Sequence, residues 1–170
     1  QQSLLDRLRS GEVLELVEKM SPDDRVQLFD ELPAKVVRRL LAELSPSERR
    51  VTAQLLGYEP ETAGRLMTTE FVDLKEGHTA AQALTIVRRR APDTETIYSL
   101  YVTDAERHLT GILSLRDLVT ADPEACIGDL MTRDVVSVST DTDQEEVARA
   151  IQRYDFLAVP VVDREQRLVG

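Results

Sequence analysis

The sequence has no tryptophan, a single cysteine and an aromatic content of only 4%. Any core must therefore be built from Leu, Val, Ile and Ala, without large aromatic anchors. With Cys126 alone no intramolecular disulfide can form, which fits a reducing compartment. Flanked by Ala125 and Ile127, Cys126 reads as a buried structural thiol and not as a nucleophile. No stretch reaches the roughly 18 apolar residues of a membrane span, and no secretory signal pattern opens the chain. Beginning at Gln1, the sequence reads as a piece of a longer protein. Basic residues are in deficit: 21 Lys and Arg against 31 Asp and Glu leave a net charge of −10. That balance argues against a nucleic-acid partner, because phosphate backbones repel it. A cation is the natural counter-ligand, although the same charge also serves solubility. P-loop, GxSxG, HExxH and CxxC patterns are all missing, and no nucleophile–base pair stands out, so an enzyme is not expected. His78 and His108 fall in turns without partners at metal-ligand spacing and read as solvated. Arg88, Arg89 and Arg90 read as a solvated helix end favoured by the helix dipole.

What is present is regular. Apolar residues make up 42% and recur along the whole length, as in a folded chain. The first 57 residues read as short helices punctuated by proline. Leu5 and Leu8 share a face; Val13, Leu14, Leu16, Val17 and Met20 follow at near-helical spacing. Helix starts are predicted at Pro22, Pro33 and Pro46, with Ser21 and Ser45 as caps and Glu48 placed for a capping box. The spacing implies a small superhelical stack of helix pairs. Gly57-Tyr58-Glu59-Pro60-Glu61 reads as a turn at a domain boundary.

From Leu66 the pattern changes and then repeats. Leu66-Met67-Thr68 returns 64 residues later as Leu130-Met131-Thr132. Phe71-Val72-Asp73-Leu74 returns as Val135-Val136-Ser137-Val138. A helix follows in each copy, then a strand: residues 98–104 in the first, residues 157–163 in the second. The strand after the turn begins at His108-Leu109-Thr110-Gly111 and at Arg167-Leu168-Val169-Gly170. These later matches are 59 apart, so the first copy holds five extra residues near Arg90-Ala91-Pro92-Asp93. A duplicated unit of this kind packs about a pseudo-twofold axis, since each copy alone leaves a face uncovered. The second copy stops where the first continues Ile112 to Val119, so it is expected to be incomplete.

These motifs resemble tandem CBS domains: the Leu-Met-Thr openings, the run Leu109 to Leu118, and Ala158-Val159-Pro160-Val161-Val162-Asp163. With the helical N-terminal part, with Ala63 to Thr68 and with Asp141 to Arg149, the chain is similar to MgtE-type magnesium transporters. The resemblance implies an all-α superhelical N domain over residues 1–57, a linker over 58–65, a first CBS repeat over 66–125 and a second, truncated α/β repeat over 126–170. It further implies a homodimer formed through the CBS domains on the cytoplasmic face of the bacterial inner membrane. A transmembrane pore would lie beyond residue 170 and would shut when Mg²⁺ occupies acidic sites between the domains.

By resemblance, Asp143, Glu145 and Asp155 match positions that bind regulatory Mg²⁺, and Asp24, beside Asp23, is a fourth candidate across a gap in the match. Mg²⁺ keeps several waters, so one or two carboxylates per site suffice. Read from spacing alone, the same acids complement a helix dipole, and Thr142 with Glu145 forms a capping box. The alternative reading is a CBS pair sensing an adenine nucleotide, ATP in particular. Asp117 would then hold the ribose, Arg116 the phosphate, and Tyr101 would lie near the base. Against it, Ser99 stands where the family places the stacking aromatic, and serine has no ring face to offer.

Overall fold

The structure, a computed structural model, describes residues 11–94 and 96–170, with side chains from residue 13 onward. The Leu5–Leu8 stripe lies outside the described residues. The described residues begin with four helices: α1 (Gly11–Lys19), α2 (Pro22–Asp30), α3 (Ala34–Glu43) and α4 (Pro46–Leu56). Pro22 and Pro46 occupy first-turn positions, where the missing N–H costs nothing; Pro33 stands one residue earlier, as the N-cap of α3. The Ser45 hydroxyl accepts from the Glu48 N–H at 3.4 Å, but the reciprocal half of the expected capping box is not made. Glu48 turns instead to Arg25, 2.8 Å away. Ser21 makes no side-chain cap.

Arg25 is fully buried at the centre of this domain. It donates to the carbonyls of Val17, Glu18 and Met20 and to the Thr52 hydroxyl. A buried guanidinium is tolerable only with its donors satisfied, and here they tie α2 to the end of α1 and to α4. Val17, Phe29, Val36, Leu40 and Leu44 form the apolar core around it.

The repeats begin with a single-turn helix each. Helix α5 (Ala63–Leu66) precedes β1 (Asp73–Leu74), α6 (Ala80–Arg90), a 3₁₀ turn (Ala91–Asp93), β2 (Ser99–Thr103), β3 (Leu109–Ser114) and α7 (Leu115–Thr120). Helix α8 (Ile127–Leu130) precedes β4 (Val138–Ser139), α9 (Gln144–Tyr154) and β5 (Val161–Val162). The first sheet runs β1-β2-β3, β1 parallel and β3 antiparallel to β2; in the second, β4 and β5 are parallel. The five extra residues of the first copy surround the 3₁₀ turn. The strands are shorter than the sequence pattern predicts. In the second repeat, Pro160 has no N–H to give the ladder, so named pairing starts at Val161.

The two repeats exchange their opening helices. The Ala63 and Gly64 N–H groups donate to the carbonyls of Thr142 and Thr140 in the second repeat. Those of Ile127 and Gly128 donate to His78 and Glu76 in the first. Thr62 bridges Asp143, and Cys126 bridges Thr79. Every one of these pairs is related to its counterpart by the same 64-residue shift. Two glycines accommodate the exchange. A Cβ on Gly111 would run into the Met131 sulfur, and one on Gly170 would lie 2.6 Å from the Met67 sulfur.

Ile127 and Met131 accordingly join the first repeat's core of Val72, Leu74, Val87, Leu100, Val102, Leu113 and Leu118. Ala63 and Met67 join a second core with Val138 and Val161, and this core also takes in Val26 and Leu55 of the N domain. Arg65 secures the same joint. It grips Asp30 with two nitrogens, at 2.7 and 3.1 Å, and donates to the carbonyls of Leu55, Leu56 and Tyr58.

Cys126 corrects the sequence reading: it is exposed. As the N-cap of α8 it lies outside the helix, while Ile127, the next residue, takes the inward position with no exposure.

Candidate functional site

Helix α9 carries the acid-rich segment. Its N-cap is Asp143, whose carboxylate accepts from the Glu145 N–H at 2.8 Å. The predicted Thr142–Glu145 capping box is therefore not the cap. The Thr142 hydroxyl accepts from the Ser139 N–H instead, closing the turn before the helix. Glu145 pairs with Arg149 at 3.0 Å on an exposed face, and Asp141 pairs with Arg164 at 3.1 Å. Asp155 ends the helix in the left-handed region, φ 53°. The 11 residues between the caps separate Asp143 from Asp155 by roughly 16–18 Å. The structure thus brings Asp143 and Glu145 together and keeps Asp155 apart, so one ion cannot be shared by all three within a chain.

Asp24 belongs to a different place. It lies in the first turn of α2 and lines a gap of about 490 Å³ between the N domain and the first repeat. Lys19 and Ser21 line the gap from the same side, and Glu70, Pro92, Asp93 and Thr94 from the other. Lys19 is engaged by Glu15 at 2.6 Å. One carboxylate oxygen of neighbouring Asp23 is buried without a hydrogen-bond partner among the described residues. Sequence reasoning missed Glu70 and Asp93, and only the five-residue insertion in the first repeat pointed toward Asp93.

An apolar cleft of about 210 Å³ lies between the repeats, lined by Met67, Phe71, Ser99 and Tyr101 and, from the second copy, Val147, Val159 and Val161. Tyr101 is buried, and burial pushes its phenol up to about 12. Phe71 meets it edge-on at 6.1 Å. Arg116 and Asp117 are not among the residues lining this cleft. Asp117 sits in the first turn of α7, where the Ser114 hydroxyl donates to its carboxylate at 2.6 Å and accepts from its N–H at 3.0 Å. The three nucleotide candidates are therefore split, Tyr101 in the cleft and Arg116 and Asp117 in a capped turn.

His108 departs from its reading as a solvated residue without ligand-spaced partners. Asp104, Glu106 and His108 bring ligand atoms within 4.8 Å of one another, because the tight turn between β2 and β3 stacks positions i, i+2 and i+4. The His108 Nδ1 is 2.8 Å from the Asp104 carboxylate, which also accepts from the His108 N–H. These bonds hold the Asp104 carboxyl below the usual range. The second repeat makes the same turn with Arg167, which donates to Asp163 at 2.9 Å. A permanent cation in the equivalent place identifies the His108–Asp104 contact as a turn lock. His78 Nδ1 accepts from the Lys75 N–H at 3.2 Å.

The sequence comparisons bear on this geometry directly. The model of the MgtE intracellular N domain matches residues 1–61, and the CBS domain model matches residues 63–124 and 127–170. The chain belongs to the CBS-domain family, with an MgtE N domain ahead of the pair. The chain is similar to the magnesium transporter MgtE of Thermus thermophilus, 51% identical over 133 residues, 78% of this chain and 30% of that protein. It is similar to the magnesium transporter MgtE of Bacillus subtilis, 39% identical over 152 residues, 89% of this chain and 34% of that protein. Among solved structures, the cytosolic domain of the Mg²⁺ channel MgtE in complex with ATP matches with a TM-score of 0.88 and 47% identity. That match covers 92% of this chain and 64% of the other. This MgtE-type chain spans about a third of the length of the curated relatives it matches. No helix among the described residues is long and apolar enough to cross a membrane.

Proposed function

We propose that this chain is the Mg²⁺-sensing regulatory region of a magnesium channel or transporter, held at the cytoplasmic face of the membrane and joined to a pore. The reading rests on the acid-lined gap between the N domain and the first repeat. Asp24 comes from one side, and Glu70 and Asp93 come from the other. Two carboxylates about 4 Å apart repel by roughly 1 kcal/mol in water and about 4 at an effective dielectric of 20. Acids facing one another across a gap oppose its closure, and a divalent cation between them reverses the sign. Mg²⁺ retains much of its water, so a roomy gap with few carboxylates suits it better than a tight cage. The pair Asp143–Glu145 and, separately, Asp155 supply further weak sites on the second repeat. The total bias on the domains is the sum of the differential binding energies. The names of the similar proteins support the cation, and a twofold homodimer through the CBS pair is the assembly that fits. No part of this reading involves catalysis.

The test is a Mg²⁺ titration at fixed ionic strength, following the radius of gyration by solution scattering and the thermal midpoint. Compaction and a rising midpoint are expected in the millimolar range, both blunted in Asp24→Asn/Asp93→Asn. An unchanged radius and midpoint would sink the proposal. A second reading, adenine-nucleotide sensing, draws on the cleft lined by Phe71 and Tyr101 and on the ATP held by the similar cytosolic domain. A midpoint that responds to ATP and not to Mg²⁺ would reverse the ranking.

A further inference from the structure

A polar pocket of about 270 Å³ shares Phe71 as a lining residue with the apolar cleft. Thr69, Phe71, Asp73, Arg90, Thr103, Arg107 and Leu168 line it. Two arginines from different elements therefore line one pocket in a chain whose net charge is −10. Arg65, Arg133, Arg149, Arg164 and Arg167 find carboxylates. Among the described residues Arg90 and Arg107 do not, and of such arginines these two line one pocket. The side chain of Arg90, the last residue of α6, has no hydrogen bond or ion pair among the described residues. Arg107 donates one nitrogen to the Leu168 carbonyl at 2.9 Å, and the rest of its fork has no hydrogen bond among the described residues. That bond crosses from the first repeat to the second and joins two residues that line the pocket.

The one carboxylate present is already committed. Asp73 accepts from the Thr103 hydroxyl at 3.4 Å and lies 3.6 Å from the Lys75 ammonium. Lys75 also donates to the Thr103 hydroxyl at 2.6 Å and to the Asp104 carbonyl at 2.8 Å. Among the residues lining the pocket the balance is two cations, Arg90 and Arg107, to one anion, Asp73. The Thr69 hydroxyl has no hydrogen bond among the described residues. Two arginines and a threonine lining one polar cavity supply the donors that a tetrahedral oxyanion needs, for which guanidinium is the preferred partner.

We infer that this pocket binds a phosphate-type oxyanion, with Arg90 and Arg107 as its charged ligands and Thr69 as a neutral donor. The site is separate from the acid-lined gap and does not depend on Mg²⁺ sensing. Inorganic phosphate is the probe, with chloride at equal ionic strength as the reference. Amide chemical shifts of the wild-type chain should move saturably at Thr69, Thr103, Arg107 and Leu168. At ten times the dissociation constant the thermal midpoint should rise by about 3–6 °C. Arg90→Gln and Arg107→Asn should each weaken binding about tenfold or more. Asparagine is chosen because Arg107 has φ 73°, a conformation it tolerates. Arg88→Gln, in the same exposed run but outside the pocket, should bind as the wild type does. ATP is the second arm. Tighter binding with added shifts at Phe71 and Tyr101 assigns the phosphate to a nucleotide, and binding no tighter than phosphate assigns it to the free ion. No shift beyond that of chloride, shifts centred elsewhere, or equal binding by both variants would each overturn the assignment.

Discussion

Replacing Arg65 by methionine should loosen the N domain from the repeats. The side chain is 9% exposed, whereas that of its partner Asp30 is 43% exposed. Methionine keeps most of the apolar stem, so the loss is concentrated in the guanidinium. Two carbonyls at the end of α4, Leu56 at 2.6 Å and Tyr58 at 2.9 Å, lose a charged donor, and Leu55 loses a longer contact at 3.4 Å. Each hydrogen bond to a charged group contributes roughly 1.5–3 kcal/mol, less whatever water recovers at a partly open site. The ion pair adds little, about 0–1 kcal/mol, because Asp30 rehydrates. The net cost is about 3–4 kcal/mol, or roughly 6–15 °C in melting temperature for a chain of this size. Asp30→Asn should cost only about 0.5–1 kcal/mol. Calorimetry should then show the N domain melting ahead of the repeats in Arg65→Met, and proteolysis should speed up between Gly57 and Thr62. Urea unfolding of both single variants and the double variant gives the coupling. The reasoning fails if Arg65→Met costs under about 1 kcal/mol with a single transition, or if Asp30→Asn costs as much.

Gly111→Ala should destabilise the chain by about 1–3 kcal/mol through overlap with Met131. Met131→Ala in the same chain should relieve part of that, so urea midpoints for the pair that simply add would refute the close approach. The His108 bond lowers the Asp104 carboxyl, so its contribution is present above the ordinary aspartate value of about 3.9 and is lost as pH falls through the lowered folded value. The stability gap between wild type and Asp104→Asn should therefore be widest near neutrality and close in acid. A gap that stays constant across that range in pH-dependent urea melts would show that the contact does not titrate.

Much of the architecture was legible from local pattern. Pro22, Pro33 and Pro46 marked helix starts because a missing N–H and a preset φ act within one turn. The return of Leu-Met-Thr after 64 residues marked the duplication, since two copies facing the same packing problem retain the same apolar positions. Other features escaped because they depend on partners distant in the chain. The burial of Arg25 and Arg65 was not legible, because the carbonyls that satisfy them come from other helices. Cys126 read as buried because its neighbours are apolar, yet the start of α8 turns only Ile127 inward.

The sequence by itself determined the fold class, the order of helices and strands, and the acid-rich character of α9, all properties of short windows. Tertiary structure alone decided which repeat each opening helix joins, because a 64-residue shift is equally consistent with docking at home or across. It also decided where charges meet. Asp143 and Asp155 share a helix but stand at opposite ends, whereas Asp24 and Asp93, distant in sequence, line one gap. Coulombic effects depend on separation in space, and that separation is set by how the N domain and the two repeats share their cores.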